Sequence, residues 1–192
     1  MKALEQKILN EGKILPGNVL KVNGFLNHQI DVPFLMQMGK EVAEKFKNSN
    51  ITKVLTIEAS GIAFATCIAS YLKVPVLFAK KNKSSNIAGG VYQSQVFSYT
   101  HNVSNYIVVE KQFLNKNDVC LIADDFLASG NAVLGLEDII NQSGATLKGV
   151  AIAVEKGFQD GGKILRDKGM DVYSLAIVDE MSIEKGIKFR AQ

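Results

Sequence analysis

The sequence has no tryptophan and, in 192 residues, only two cysteines, three prolines and two histidines. Cys67 and Cys120 are far apart, each inside an apolar run (AFATCIA and NDVCLIAD). A disulfide scaffold or a cysteine-rich metal cluster is therefore excluded, and each residue reads as a small buried thiol suited to a reducing cytoplasm. His28 and His101 lack the company that a zinc site requires. His28 is expected to be a hydrogen-bonded structural residue and His101 an exposed turn residue. Charge of either sign is not in surplus: 22 Lys and Arg against 19 Asp and Glu give +3. Such a balance lacks the concentrated field of a dedicated nucleic-acid binder, so an anionic ligand must be held locally. No window approaches the roughly 18 apolar residues of a membrane span, and Glu5 and Lys7 interrupt the stretch that a signal peptide would need. A protein that is soluble and not exported is expected. Repeats and low-complexity tracts are absent as well.

What is present is 47% hydrophobic residues. A chain of this length buries roughly 70% of its unfolded surface, enough for one domain over residues 1–192. Residues 3–10 place Leu4 and Ile8 one helical turn apart before Gly12, which reads as a short amphipathic helix. Pro16 and Gly17 follow, then VLKVNGFLNHQI, expected to be extended or irregular. With Asp31 as N-cap and Pro33 in the first turn, Phe34, Leu35, Met38, Val42 and Phe46 share one face of a helix running to about Asn48. Beyond it KVLTIEASG, VPVLFAK, NYIVVEK, DVCLIADD and GVAIAVEK are short Val/Ile/Leu-rich runs, apolar on both faces and separated by helical segments at 62–72 and 131–142. That alternation predicts an α/β fold with a mostly parallel central sheet flanked by helices. SQVFSYT alternates and reads as half of a hairpin with NYIVV. Residues 80–90 (KKNKSSNIAGG) read as a flexible polar insertion. In such a sheet ligands sit beyond the carboxyl ends of the strands. Three ends are chemically unusual: Glu58 to Gly61, Asp124 to Ala132, and Glu155-Lys156.

In VCLIADDFLASGNA, residues 119–132, a buried strand runs into two adjacent carboxylates and then a turn of small residues that opens a helix. Two charges at the lip of a sheet need partners such as ribose hydroxyls or hydrated Mg²⁺. The turn formed by Ala128, Ser129, Gly130, Asn131 and Ala132 offers backbone N–H groups at a helix N-terminus, with small side chains that let an anion approach. Glu58-Ala59-Ser60-Gly61 makes a second cradle of the same kind. Lys80, Lys81 and Lys83 add a cationic loop able to close over an anion and expel water.

This segment resembles the ribose-phosphate binding motif of the type I phosphoribosyltransferases: a hydrophobic strand, an acidic pair, a few small or apolar residues and a Ser/Thr-Gly turn. Together with VLKVNGFLNHQID, TIEASGIA and VAIAVEKGFQ, the resemblance covers nearly the whole chain and is similar to the xanthine-specific bacterial branch of that family. It implies the family's fold, with a small N-terminal hood from about residues 1–35 and a flexible loop. It also implies transfer of a 5-phosphoribosyl group from phosphoribosyl pyrophosphate to xanthine, with Mg²⁺ carried by the pyrophosphate donor and not held by protein alone. Residues 128–132 would then hold the 5-phosphate, and Asp124 and Asp125 the ribose hydroxyls, where carboxylates also favour an oxocarbenium-like transition state. Ala59, Ser60, Gly61, Lys80 and Lys81 would serve the pyrophosphate. Leu20, Asn27 and Lys156 would contact xanthine; Asn27 suits oxo and NH groups together, and Lys156 suits an electron-rich oxo group but not an amino group. Phe158 is a candidate to stack on the purine or to pack at its rim.

Two positions depart from the wider family. Ala128 stands where some purine relatives carry an aspartate that acts as general base, and Ala132 where many have a threonine. An alternative within the same chemistry is guanine or hypoxanthine as acceptor. An alternative of another class is a transcription regulator that senses phosphoribosyl pyrophosphate, though residues 1–50 show no convincing recognition helix. A homodimer is expected, and Phe25, Leu26 and Met38 are read as exposed apolar residues for its surface. The C-terminal MSIEKGIKFRAQ either covers the site or ends the fold.

Overall fold

The computed structural model describes residues 1–82, 90–98 and 103–191. The chain runs α1 (Lys2–Glu11), β1 (Lys13–Leu15), β2 (Val19–Lys21), a π-helical turn (Asn23–Asn27), α2 (Val32–Phe46), β3 (Lys53–Ile57), α3 (Gly61–Leu72) and β4 (Val76–Asn82). It continues with β5 (Val91–Ser98), β6 (Val103–Glu110), β7 (Val119–Leu127), α4 (Asn131–Ser143), β8 (Thr146–Lys156), α5 (Gly161–Asp167), β9 (Val172–Ser182) and β10 (Gly186–Phe189).

Among the described residues eight strands join in one sheet, ordered β10-β9-β8-β7-β3-β4-β6-β5. The inner strands β9, β8, β7, β3 and β4 are mutually parallel, as doubly apolar runs require; Val150 to Val154 of β8 are fully buried. Helices cover both faces. Leu4, Ile8, Leu35, Met38, Val42, Phe64 and Ile68 from α1, α2 and α3 build one core, and Val133, Leu136, Ile139, Ile140 and Leu165 from α4 and α5 the other. Helix α2 begins where its cap predicts: the Asp31 carboxylate accepts from the Phe34 N–H at 3.1 Å and also pairs with Lys7 at 2.9 Å. It ends at Phe46, two residues before the expected stop. Helix α4 closes on Gly144, whose φ of +75° and N–H bond to Asn141 form a left-handed stop.

Several expectations are corrected. VLKVNGFLNHQI is neither uniformly extended nor irregular, since it holds β2 and the π-helical turn. Phe25, Leu26 and Met38 are not exposed but at most 1% accessible, because the turn tucks its apolar residues into the core beneath α2. They offer no dimer surface. Lys80 and Lys81 do not begin a loop; they pair with Val108 and Ile107, so β4 extends through them. NYIVV belongs to an antiparallel strand, β6, which pairs with β5 as the hairpin predicted. Residues 83–89, with Lys83, and 99–102, with His101, lie outside the described residues. In the C-terminal segment β10 pairs antiparallel with β9 at the sheet edge.

Candidate active site

From β3 the chain crosses through α3 to β4 on one side; from β7 it crosses through α4 to β8 on the other. The crevice between β3 and β7 is thus a switch point where connections diverge. The carboxyl ends of β3, β7 and β8 lie side by side there, and all three unusual strand ends of the sequence arrive at one place.

Asp124 and Asp125 are both buried. Oδ1 of Asp124 accepts from the Asp125 N–H at 3.0 Å, and Oδ2 of Asp125 accepts from the Asn27 amide at 3.3 Å. Burial, then the adjacent Asp125 charge, pushes the Asp124 carboxyl well above the usual carboxylate range, while the charge of Lys81 pulls the other way. The Lys81 N–H also donates to Glu58 Oε1 at 2.7 Å, which ties the end of β4 to the loop after β3. Lys80 is exposed on the same strand.

The two cradles open helices α3 and α4. Neither Ser60 nor Gly130, the N-cap residues, caps its helix with a side chain, unlike Asp31 at α2. The start of a helix left without such a cap is suited to an anion. Gly61 also packs where no side chain fits: a Cβ there would stand 2.2 Å from Thr56 Oγ1 and 2.8 Å from Asp124 Oδ1. Gly130 has φ +85°, a conformation that glycine adopts at little cost, and it turns the 128–132 segment into α4.

The N-terminal segment reaches the site twice. The π-helical turn, anchored by Phe25 and Leu26, delivers Asn27 to Asp125. The β1–β2 turn brings the Asn18 carbonyl to Lys156 Nζ at 3.2 Å, at the end of β8. Burial lowers the Lys156 pKa from its ordinary value. Leu20 is buried in the core beside Phe25 and Leu26, and Phe158 is half-buried against the same cluster. His28 is exposed; its backbone N–H closes the π-helical turn on the Asn23 carbonyl, but its imidazole makes no hydrogen bond among the described residues, a correction to its expected structural role.

Among the described residues, two buried side-chain polar atoms have no hydrogen-bond partner, Asn27 Oδ1 and Thr56 Oγ1. Both belong to this site: Asn27 holds Asp125, and Thr56 stands over Gly61. Orphaned buried polar atoms are costly and rare, so their convergence marks a place prepared for a polar ligand.

Residue reading missed Thr56, Asn18 and the segment behind the 128–132 loop. Glu155, 2% exposed, is not a ligand-facing acid: Arg166 clasps both its oxygens at 2.7 Å and Ser174 donates to it. Burial raises its pKa, but those bonds outweigh burial and hold it below the ordinary range. The only sequence signal was the Gly161-Gly162 pair. No cluster of three or more His, Cys, Asp or Glu capable of holding a metal occurs among the described residues; the hard oxygen donors of the site are the Asp124–Asp125 pair.

Residues 32–181 match the model of the family described as phosphoribosyl transferase domain. The xanthine phosphoribosyltransferase of Ruminiclostridium cellulolyticum is 55% identical over 181 residues, covering 94% of this chain and 95% of that protein. The enzyme of the same name from Oceanobacillus iheyensis is 53% identical over 182 residues, 95% of this chain and 94% of that one. Among solved structures, adenine phosphoribosyltransferase from Trypanosoma brucei, in complex with AMP, pyrophosphate and ribose-5-phosphate, aligns with a TM-score of 0.78 at 21% identity, covering 95% of this chain and 83% of that one. That of Rhodothermus marinus gives 0.74 at 19% identity, over 92% and 99% of the two chains. These structural neighbours establish an α/β fold with a mostly parallel sheet.

Proposed function

This chain belongs to the phosphoribosyltransferase family, and from that premise we propose that it transfers the 5-phosphoribosyl group of phosphoribosyl pyrophosphate to xanthine, giving xanthosine 5′-monophosphate and pyrophosphate. The bond from ribose C1 to the pyrophosphate oxygen breaks, a bond from a purine ring nitrogen to C1 forms, and that nitrogen gives up its proton. The observation that carries the reading is the meeting, at one switch point, of two helix starts without side-chain caps, a buried acidic pair and two orphaned polar atoms.

Residues 128–132 would take the 5-phosphate and Ala59, Ser60 and Gly61 the pyrophosphate, with Lys80 and Lys81 on the adjoining strand. Asp124 and Asp125 would receive the ribose hydroxyls, and the Asp125 charge would favour positive charge developing at C1. Leu20, Asn27 and Lys156 would border xanthine: Asn27 Oδ1 offers an acceptor for a purine N–H, and Lys156 a donor for an oxo group. The donor substrate is the Mg²⁺ complex of phosphoribosyl pyrophosphate. Two carboxylates are too few to cage the ion alone, which suits one delivered on the pyrophosphate, and its role there is to neutralise phosphate charge. Free thiols fit action in a reducing cytoplasm. The working form is a homodimer, a point that sedimentation tests. A DNA-binding sensor finds no support in the N-terminal segment, because α1 and α2 are spent on the common core.

The test is an ultraviolet assay with Mg²⁺, phosphoribosyl pyrophosphate and, in turn, xanthine, guanine, hypoxanthine and adenine, repeated on Asp125→Asn and Lys156→Ala. Turnover selective for xanthine, reduced at least about a hundredfold by Asp125→Asn, is expected. Turnover of guanine in preference to xanthine would reassign the acceptor, and donor binding without turnover of any base would refute the enzyme.

A further inference from the structure

The 128–132 segment, Ala-Ser-Gly-Asn-Ala, is made of small residues. What stands behind it is the start of α5. The Gly161 N–H donates to the Ala128 carbonyl at 3.1 Å, which turns that carbonyl toward α5. A side-chain carbon on Gly161 would lie 2.2 Å from Ala128 O, 2.6 Å from Gly130 N and 2.7 Å from Ser129 C. Reciprocally, one on Gly130 would lie 3.3 Å from the Gly161 Cα. The two segments meet backbone on backbone, with no side chain between them to yield.

Helix α5 is itself held in place. Arg166, in its last turn, makes the two-pronged pair with buried Glu155, and Gly162 lies so close beneath that pair that a Cβ would stand 2.0 Å from Glu155 Oε1 and 2.7 Å from Arg166 Nη1. Bidentate guanidinium–carboxylate pairs fix orientation as well as distance. Glu155 sits on β8, the strand beside β7 that delivers the acidic pair.

We infer that Gly161, braced through Arg166 and Glu155, is a positioning residue for the 128–132 loop, setting the shape of the cradle that receives the 5-phosphate end of the donor. An anion cradle needs N–H groups toward the ligand and carbonyls away from it, and the Gly161 N–H holds the first carbonyl of the loop away. This assignment rests on the phosphoribosyl-transfer reading above.

The test compares full-length wild type with Gly161→Ala for four constants: the KM of phosphoribosyl pyrophosphate, the KM of xanthine, and the inhibition constants of ribose 5-phosphate and pyrophosphate. A methyl group in this contact displaces the loop, and misplacement of a binding group by a fraction of an ångström is costly. The KM of the donor and the inhibition constant of ribose 5-phosphate are expected to rise about tenfold, with those of xanthine and pyrophosphate within about twofold. Should Gly161→Ala not fold, Arg166→Lys, which loosens the brace without adding volume, is expected to show the same selectivity at roughly threefold. Unchanged constants, or a parallel rise in all four as general loosening would give, would overturn the inference alone. A wild type that turns over no purine would overturn the functional reading and the inference with it.

Discussion

Asp124 lies against the start of α3, where burial and the Asp125 charge favour its neutral form. A carboxyl whose pKa is raised by folding contributes stability at low pH, and that contribution is lost as pH rises above the unfolded value of about 3.9. At neutral pH the residue therefore costs stability. Asp124→Asn keeps an acceptor for the Asp125 N–H and removes the titrating carboxyl. It is expected to raise Tm by about 3 °C at pH 7 while abolishing transfer, and the Tm difference should vanish near pH 4 and below. Differential scanning calorimetry over that range checks it. Lys156 shows the opposite shift, since burial makes it lose its charge at lower pH than an exposed lysine would. The kcat/KM for xanthine is expected to fall on the alkaline side, below the ordinary lysine range, and Lys156→Met should erase that limb. With Ala128 in place of an acidic base, the further hypothesis is that xanthine enters as its anion, stabilised by Lys156. A rate that stays flat across the pH range where xanthine titrates would sink that idea. The acidic pair was legible because two charges after CLIA have no structural use, whereas Thr56 was not: a buried threonine in a strand looks the same whether its hydroxyl is satisfied or orphaned.

Among the elements, the start and buried face of α2 were readable from Asp31, Pro33 and its apolar stripe, because a helix records its buried face in local periodicity. The π-helical turn was not. Phe25 and Leu26 are flanked by Asn, Gly and His and have no period, so only their packing beneath α2 shows that they are interior. Lys80 and Lys81 looked like loop for the same reason: their strand exists through pairing with Val108 and Ile107, remote in sequence. The α2–α3 crossing makes a prediction at this scale. Gly39 lets the helices touch, and a Cβ there would stand 2.6 Å from the Cys67 carbonyl carbon. Gly39→Ala gains about 1 kcal/mol in helix propensity but forces backbone apart at about 1–3 kcal/mol. A net loss is expected, seen as a Tm lower by roughly 2–4 °C per kcal/mol and an earlier urea midpoint.

Across the whole molecule two apolar cores sandwich one sheet, and each contains one thiol, Cys67 and Cys120. Burial, reinforced by the Asp118 charge, pushes the Cys120 thiol up to about 12, and burial raises Cys67 as well. Neither is a nucleophile in the folded state. Ellman's reagent is expected to titrate two thiols promptly in denaturant and at least about a hundredfold more slowly in native protein, with the Cys120 rate following global opening. Prompt native labelling of Cys120 would show that the α4 core opens on its own.

By itself the sequence determined the sheet class, the helix-opening turns at 58–61 and 128–132, and the acidic pair, because strand hydrophobicity, glycine placement and paired charge are local properties of the chain. Only the tertiary structure decided that Asn27 reaches Asp125, that Lys156 meets the Asn18 carbonyl, that Glu155 is spent on Arg166, and that Gly161 backs the 128–132 loop. Each of those contacts joins segments whose meeting depends on strand order and crossover direction, and no local pattern of residues encodes which remote backbone will arrive beside them.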